Sequence, residues 1–151
     1  MSEQGLGTNI VTQIGLVVND IEKSIAAYCE ILNLPRPEVV LTDEYPLART
    51  TYRGQPSLAR AKLAFFNMGQ ITIELIEPVG EPSTWKEALQ ENGEGFHHIA
   101  FQIKDTGKVI QYLQSKDIPL VQQGYYTGGM YSYLDASAKL GLVLELLENF
   151  H

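Results

Sequence analysis

The sequence predicts an α+β fold in which a strand–helix–strand–strand–strand module occurs twice. Two alignments of the chain with itself, together with the order of strand and helix patterns, lead to this prediction. Residues 13–20 align with residues 98–105 at an offset of 85, and their apolar, small and acidic positions match. Residues 71–77 align with residues 142–148 at an offset of 71. The first module therefore has 14 more residues between its two aligned segments than the second module has between its own.

The first module begins with residues 10–18, which alternate and are rich in β-branched types, as is typical of a strand. Asn19-Asp20-Ile21-Glu22 has the pattern of a helix start. Apolar residues then follow at helical spacing until Pro35, which ends the helix. Strands are predicted near residues 38–42, 61–67 and 70–77. The surplus residues, from Asp43 to Arg60, are predicted to form a long loop, and such loops are often functional lids.

The second module repeats this order after a linker helix that begins at Thr84-Trp85-Lys86-Glu87 and ends at Asn92-Gly93. Its predicted elements are a strand at 96–104, a helix at about 106–116 and strands near 119–125, 129–135 and 141–148. A chain of 151 residues has the length of one domain. We therefore predict a single domain, residues 1–151, with module 1 at about 9–79, the linker helix at about 82–93 and module 2 at about 94–149.

Composition limits the partners of the chain. Its 18 acidic residues against 11 Lys and Arg give a net charge of −7, which argues against nucleic acid and anionic membrane surfaces. The longest aliphatic runs, such as Leu16-Val17-Val18, have three residues and are too short to span a membrane, and the polar start of the chain has no signal-peptide pattern. The single cysteine, Cys29, lies on the apolar helix face and is interpreted as core packing. We therefore expect a soluble cytoplasmic protein.

Four polar residues stand at equivalent positions of otherwise apolar strands. Glu74 and Glu145 occupy the same place in the last strand of their modules, and Gln13 and His98 the same place in the first. A carboxylate in an apolar strand is unfavourable unless it faces water, pairs with a cation or binds a metal. A solvated sheet face is the alternative for both glutamates. Together the four side chains offer a ligand set for one divalent metal ion, namely Zn, Ni, Co, Mn or Fe(II).

Residues near these four side chains are interpreted as follows. Gly15 and Ala100 share a strand face with the polar residues and leave room beside them. His97 competes with His98 as a ligand, but strand alternation places it on the opposite face, so it is interpreted as structural. Trp85 is interpreted as apolar filler.

Three stretches of the chain carry a resemblance to a known family, namely residues 73–78, residues 93–101 and residues 18–25. Over about residues 9–149 the chain resembles the vicinal oxygen chelate superfamily of glyoxalases, bleomycin-resistance proteins and extradiol dioxygenases, and above all its methylmalonyl-CoA epimerase branch. The resemblance implies two βαβββ modules that form a curved mixed sheet around one divalent metal. It also implies a homodimer. Carried over position by position, the metal ligands are Gln13, Glu74, His98 and Glu145.

The activity that the resemblance implies is that of a metal-dependent isomerase or epimerase. Such an enzyme abstracts a proton next to a carbonyl or thioester through a metal-stabilised enolate, with Glu145 and Glu74 as the catalytic residues. The implied substrate is a small molecule, an acyl-CoA or a 2-oxo compound. Gln13 and Glu74 stand where epimerases of this branch have His and Gln, and residues 52–57 lack the acid that serves them as a second base.

Two other functions remain open at this point. The ligand set resembles that of glyoxalase I, a lactoylglutathione lyase, although Val17 stands where that enzyme has a glutathione-binding arginine. The third hypothesis is a non-catalytic small-molecule binder of the resistance type, a class that typically loses the ligand set.

Substrate contacts are predicted mainly in the long loop. Arg49, Arg53 and Arg60 place three positive charges there, suited to an anionic tail such as a CoA phosphate. Solvated loop charges are the alternative. Tyr131 belongs to a tyrosine-rich strand pair and is either a pocket residue or part of an interface.

Overall fold

The computed structural model describes residues 5–150, which form a mixed α+β fold around one sheet of ten strands. The strands are Gln13–Val17 (β1), Val40–Leu41 (β2), Thr51–Tyr52 (β3), Gln55–Pro56 (β4), Arg60–Asn67 (β5), Thr72–Val79 (β6), Gly95–Gln102 (β7), Leu120–Tyr126 (β8), Gly129–Ala136 (β9) and Leu142–Asn149 (β10). The helices are Ile21–Leu32 (α1), Tyr45–Ala48 (α2), Thr84–Asn92 (α3), Thr106–Ser115 (α4) and Ser137–Leu140 (α5). The predicted fold class is confirmed.

The sheet is a curled half-barrel with the strand order β2-β5-β6-β1-β7-β10-β9-β8-β3-β4. Its centre is the pair of first strands, β1 and β7, which run antiparallel to each other. Each is flanked on its other side by the parallel last strand of its own half, β6 beside β1 and β10 beside β7. The four strands that carry the predicted ligands are therefore adjacent.

The two faces of the sheet are covered differently. On one face, α1 buries Ile21 and Ile25 in a cluster with Leu75, and α4 buries Val109 and Leu113 in a second cluster. On the other face, a third cluster contains residues of β1, β6, β8 and β9 together with Trp85 from α3. Since the two long amphipathic helices occupy the first face, the second face is left with space for a cavity.

An equivalent hydrogen bond occurs in both modules and joins the long helix of each module to the last strand of that module. Glu77 of β6 accepts a hydrogen bond from the backbone N–H of Ile21 at 2.9 Å, and Glu148 of β10 accepts one from Thr106 at 2.9 Å. These pairs are related by the offsets found in the sequence. A carboxylate at a helix N-terminus satisfies a free N–H group and interacts favourably with the helix dipole.

Glu148→Gln is expected to lower the free energy of unfolding by about 1 kcal/mol at neutral pH. Hydrogen bonds from Thr106 lower the pKa of Glu148 in the folded state. A lowered pKa stabilises the fold above the unfolded-state pKa, and that stabilisation is lost as the pH falls through the folded-state pKa. The difference between wild type and variant should therefore shrink in acid, as measured by urea unfolding between pH 3 and pH 7. Glu30→Gln on the exposed side of α1 is the control; an equal loss there, or a pH-independent loss at Glu148, would contradict the assignment.

Residues 43–60 differ from the predicted loop, because they contain α2 and the β3–β4 hairpin. Arg53 and Gly54 form its two-residue turn with φ of 50° and 81°, the left-handed conformation that such turns require. β3 then pairs with β8, with Thr51 opposite Gln123. The surplus of module 1 thus extends the edge of module 2. Strands of two residues are too short for hydrophobic periodicity to reveal.

Smaller differences concern the ends of elements. The strand predicted at 10–18 is confined to Gln13–Val17, and the strand predicted at 96–104 ends at Gln102. The four-residue helix Ser137–Leu140 was not predicted. Within residues 5–150, no helix has the length and apolar character needed to cross a bilayer.

Candidate metal centre and its cavity

Glu74 and His98 lie on either side of Gly15 in the same row of the sheet. The register pairs Gly15 with Glu74 on β6 and with His98 on β7. The imidazole of His98 covers the Gly15 backbone so closely that a Cβ atom built on Gly15 would lie 2.1 Å from His98 Cε1. Only glycine therefore admits this ring position. The sequence predicted that a small residue at position 15 leaves room beside the polar side chains, and the structure shows that the room is taken by the His98 ring.

Gln13 and Glu145 form the next row. Both are paired with Ala100, Gln13 from β1 and Glu145 from β10. Gln13, Glu74 and Glu145 all line one cavity. The two rows bring the four predicted ligands to the same face of four adjacent strands.

Three ligand atoms converge in this place. His98 Nε2 lies 3.1 Å from Glu145 Oε1 and 3.4 Å from Glu74 Oε1. The three side chains are buried, and none of these three atoms has an aligned hydrogen bond within the described residues. Ligand atoms of the three residues all lie within 4.8 Å of one another. Two carboxylates and an imidazole that meet without hydrogen bonds fit a divalent cation, since a cation would satisfy all three.

The charges of the cluster are strongly coupled. Burial raises the pKa of Glu74, and the nearby Glu145 charge raises it further against the lowering effect of His98. Burial alone would lower the pKa of His98, but the carboxylates of Glu145 and Glu74 raise it to about 10. The two carboxylates therefore favour a positive charge at His98. A bound metal ion would supply that positive charge at the same place.

The cluster opens into a cavity of about 530 Å³ on the second face of the sheet. Its lining is largely aromatic and aliphatic, and the described lining residues include no Lys or Arg. The aromatic members are Phe65, Trp85, Tyr125, Tyr126, Tyr131 and Tyr133. A cavity of this size with a few convergent polar groups is typical of a small-molecule site.

Tyr133 and Trp85 are site residues that sequence analysis did not identify. Tyr133 lies opposite Glu145 in the β9–β10 register, and its ring centroid is 5.2 Å from that of His98. Trp85 Nε1 donates a hydrogen bond of 3.0 Å to Tyr133 Oη. Trp85 is thus part of the cavity wall, and its interpretation as filler was incomplete. Tyr133 stands two residues after Tyr131, so strand periodicity alone places both tyrosines on one face.

Tyr131, predicted as a substrate contact, lies on the cavity wall. Gln122 Nε2 donates a hydrogen bond of 3.0 Å to Tyr131 Oη, and Gln122 Oε1 accepts one of 2.8 Å from Thr84 N. This chain of contacts fixes the phenol relative to the start of α3. Tyr126, which also lines the cavity, donates to Asn149 Oδ1 at 2.8 Å; burial and the Glu145 charge raise its pKa to about 12.

The three predicted arginines do not line this cavity. The Arg49 guanidinium lies 4.1 Å from the centre of the Tyr125 ring, which does line it, so Arg49 stands at the rim. Arg53 pairs with Glu87 of α3 at 3.1 Å and faces a second cavity, while Arg60 Nε donates to the Thr42 carbonyl at 2.9 Å. The structure does not bring the three together as one anion site.

His97 lies on the same side of β7 as His98, so its predicted placement on the opposite face was wrong. The β1–β7 register shifts after Gly15, and this β-bulge at His97 breaks the alternation of side chains. His97 Nδ1 lies 2.8 Å from His98 Nδ1, and its ring meets Tyr133 edge to face with centroids 5.1 Å apart. Burial and the neighbouring His98 charge hold the pKa of His97 well below its usual range.

Comparisons with known proteins found similar sequences and similar folds. The profile of the family described as the glyoxalase/bleomycin resistance protein/dioxygenase superfamily matches residues 12–133. The uncharacterized protein YqjC of Bacillus subtilis is 30% identical over 93 residues, which cover 59% of this chain and 66% of that protein. The mitochondrial methylmalonyl-CoA epimerase of Homo sapiens is 27% identical over 109 residues, covering 72% of this chain and 54% of that enzyme. The chain thus spans about half to two-thirds of the length of these relatives.

Solved structures share the fold. The methylmalonyl-CoA epimerase of Mycobacterium tuberculosis superposes with a TM-score of 0.63 at 20% identity, covering 97% of this chain and 94% of that one. A methylmalonyl-CoA epimerase in complex with methylmalonyl-CoA and NH4+ gives a TM-score of 0.61 at 20% identity, covering 92% and 93% of the two chains.

Proposed function

Because the chain belongs to the glyoxalase/bleomycin resistance protein/dioxygenase superfamily, we propose that it is a metal-dependent isomerase or epimerase. In this proposal the enzyme removes a proton from the carbon next to a carbonyl or thioester group. The observation that carries it is the buried cluster of Glu74, His98 and Glu145, whose ligand atoms meet beside a cavity without an aligned hydrogen bond within the described residues.

We assign His98 Nε2, one oxygen each of Glu74 and Glu145, and the amide oxygen of Gln13 as the ligands of one divalent ion. Nitrogen and oxygen donors of this kind suit Zn, Ni, Co, Mn or Fe(II). Such an ion supplies Lewis-acid polarisation of the substrate carbonyl. The aromatic residues of the cavity wall would surround a substrate bound beside His98 and the two glutamates.

Glu145 and Glu74 are the bases of this proposal. A base must come within about 3 Å of the proton that it takes, and both glutamates line the cavity in which the substrate would lie. The proton passes from the carbon to a carboxylate oxygen, the electron pair of the C–H bond moves into the enolate, and return of the proton completes the isomerisation.

The cavity and the relatives support a choice of candidate substrates. Several relatives are methylmalonyl-CoA epimerases, so acyl-CoA thioesters are the first candidates, with 2-oxo compounds next. The cavity lining described here has no cationic side chain, so the acyl group would lie inside and the anionic tail outside. Arg49 at the rim is the residue that we assign to that tail.

Exchange of the substrate α-proton in deuterated water, followed by NMR, tests the proposal. The panel contains methylmalonyl-CoA, other acyl-CoA thioesters, α-hydroxyketones, 2-oxo acids and the hemithioacetal of methylglyoxal and glutathione. Cobalt-loaded protein is expected to exchange at least one compound, and EDTA-treated protein to lose that exchange. Exchange that survives removal of the metal would exclude a metal role. Conversion of the hemithioacetal alone would assign the lyase function instead.

A non-catalytic binder is the second candidate, and the aromatic lining of the cavity favours it. Flat apolar ligands stack well against such side chains. Trp85 is the single tryptophan of the chain and lies in the cavity wall, so its fluorescence reports occupancy directly. Saturable quenching by ligands, combined with no exchange of any compound in the panel, would replace the enzyme proposal by the binder.

A further inference from the structure

His97 is a buried, polar neighbour of the cluster that the proposed chemistry does not use. Its Nδ1 atom lies 2.8 Å from Nδ1 of His98, on the side of that ring opposite to Glu74 and Glu145. We propose that His97 is a positioning residue, which fixes the orientation and tautomer of His98 by accepting a hydrogen bond from its Nδ1–H group. This inference rests on the proposed metal site.

The distribution of protons between the two rings follows from the contact itself. Two nitrogens 2.8 Å apart are joined by one proton, so one ring donates and the other accepts. A metal ligand at His98 Nε2 must offer a lone pair there, and its remaining proton is then on Nδ1. His97 must therefore accept at Nδ1 and carry its own proton on Nε2. Ligating histidines generally donate their second N–H group in this way, which orients the ring and raises its basicity.

The environment of His97 suits this role. Its ring is wedged edge-on against Tyr133 and His98, with centroid distances of 5.1 Å to each. His97 is among the residues that line a second cavity, of about 230 Å³, and its buried Nε2 atom has no hydrogen bond within the described residues. Thr84 lines the same cavity, and its buried Oγ1 atom likewise has no hydrogen-bond partner within the described residues. The two edge-on contacts hold the ring in place while its Nδ1 atom lies against Nδ1 of His98.

The bulge in β7 is what makes the contact possible. In a regular strand, neighbouring side chains point to opposite faces, and His97 would lie among the residues that pack on the long helices. The extra residue between the partners of Gly15 and Leu16 turns His97 to the face of His98. Bulges are often found beside active sites, where they redirect a side chain.

Two substitutions of His97 separate a positioning role from a packing role. His97→Asn keeps an acceptor near the position of Nδ1 but loses the ring, and His97→Phe keeps the ring against Tyr133 but loses the acceptor. We expect His97→Phe to raise the Kd for Co²⁺ about 10- to 100-fold, and His97→Asn to change it much less. Titration of the purified protein with Co²⁺, followed by calorimetry and by visible absorption, measures both. The reverse order would show that His97 only packs.

A second readout does not depend on metal binding. In protein carrying 15N-labelled histidine, a hydrogen bond between the two Nδ1 atoms gives a scalar coupling between them and a proton signal protected from solvent. Wild type should show the coupling, while His97→Phe should lack the protected His98 proton. If wild-type protein shows the coupling but does not bind Co²⁺, the proposed metal function fails while the hydrogen bond stands. If wild type binds Co²⁺ and the coupling is absent, the positioning role is wrong.

Discussion

Glu145→Gln is expected to lower the rate of α-proton exchange by about 10²- to 10⁴-fold, the range of a general base. The amide that replaces the carboxylate cannot take a proton from carbon. It also removes one negative charge from a ligand set in which Glu145 Oε1 lies 3.1 Å from His98 Nε2, so Co²⁺ affinity should fall as well. Exchange measured at saturating Co²⁺ separates the two effects, because it leaves only the loss of the base.

The matched control for this substitution lies three residues further along the same strand. Glu148→Gln makes the same chemical change on β10, but Glu148 contacts Thr106 at the start of α4 rather than the cavity. It should lower stability slightly and leave exchange and Co²⁺ affinity unchanged. Wild-type exchange rates in Glu145→Gln at saturating Co²⁺ would remove Glu145 from the role of base and leave Glu74 as the candidate.

The internal repeat allowed most of the fold and the core of the candidate site to be predicted. Each glutamate by itself was compatible with a solvated sheet face. Their equivalence in two modules, together with that of Gln13 and His98, predicted four side chains at one place. The structure has Glu74, His98 and Glu145 in contact, with Gln13 on the same cavity wall. The helix contacts of Glu77 and Glu148 show the same correspondence in a purely structural role.

The features that the repeat did not predict each occur in one place only and have no equivalent in a second module. The bulge at His97 breaks the period-two rule, and nothing in the residues His97-His98 distinguishes a bulge from a regular strand. The β3–β4 hairpin belongs to the surplus of module 1, yet β3 pairs with β8 in the other half. Such pairing across the chain leaves no local signal. Trp85 reaches the cavity from α3, which lies between the modules and therefore outside the repeat.

Gly15→Ala is expected to destabilise the protein strongly and to disrupt the candidate metal site. The new Cβ would lie 2.1 to 2.6 Å from three ring atoms of His98, and the ring is buried against Tyr133 and His97. Overpacking of a core costs about 1–3 kcal/mol, and we expect the upper end here. Because the ring must move to relieve the overlap, Nε2 leaves Glu74 and Glu145. Co²⁺ affinity should therefore fall by more than the about 10- to 100-fold typical of changes around a metal ligand.

Three further variants isolate the cause of this effect: Gly107→Ala, His98→Ala and the double variant Gly15→Ala/His98→Ala. Gly107→Ala adds the same methyl group in α4, where no atom lies within 4 Å, and should stabilise the protein by about 0.5–1 kcal/mol, since alanine favours the helix. Combining Gly15→Ala with His98→Ala removes the overlapping ring, so the loss in the double variant should be smaller than the sum of the single losses. Urea unfolding of the four variants and of wild type measures the free energy of unfolding of each protein. Additive losses would mean that the strand backbone at Gly15, rather than the His98 ring, requires glycine, and that the imidazole is free to occupy another position.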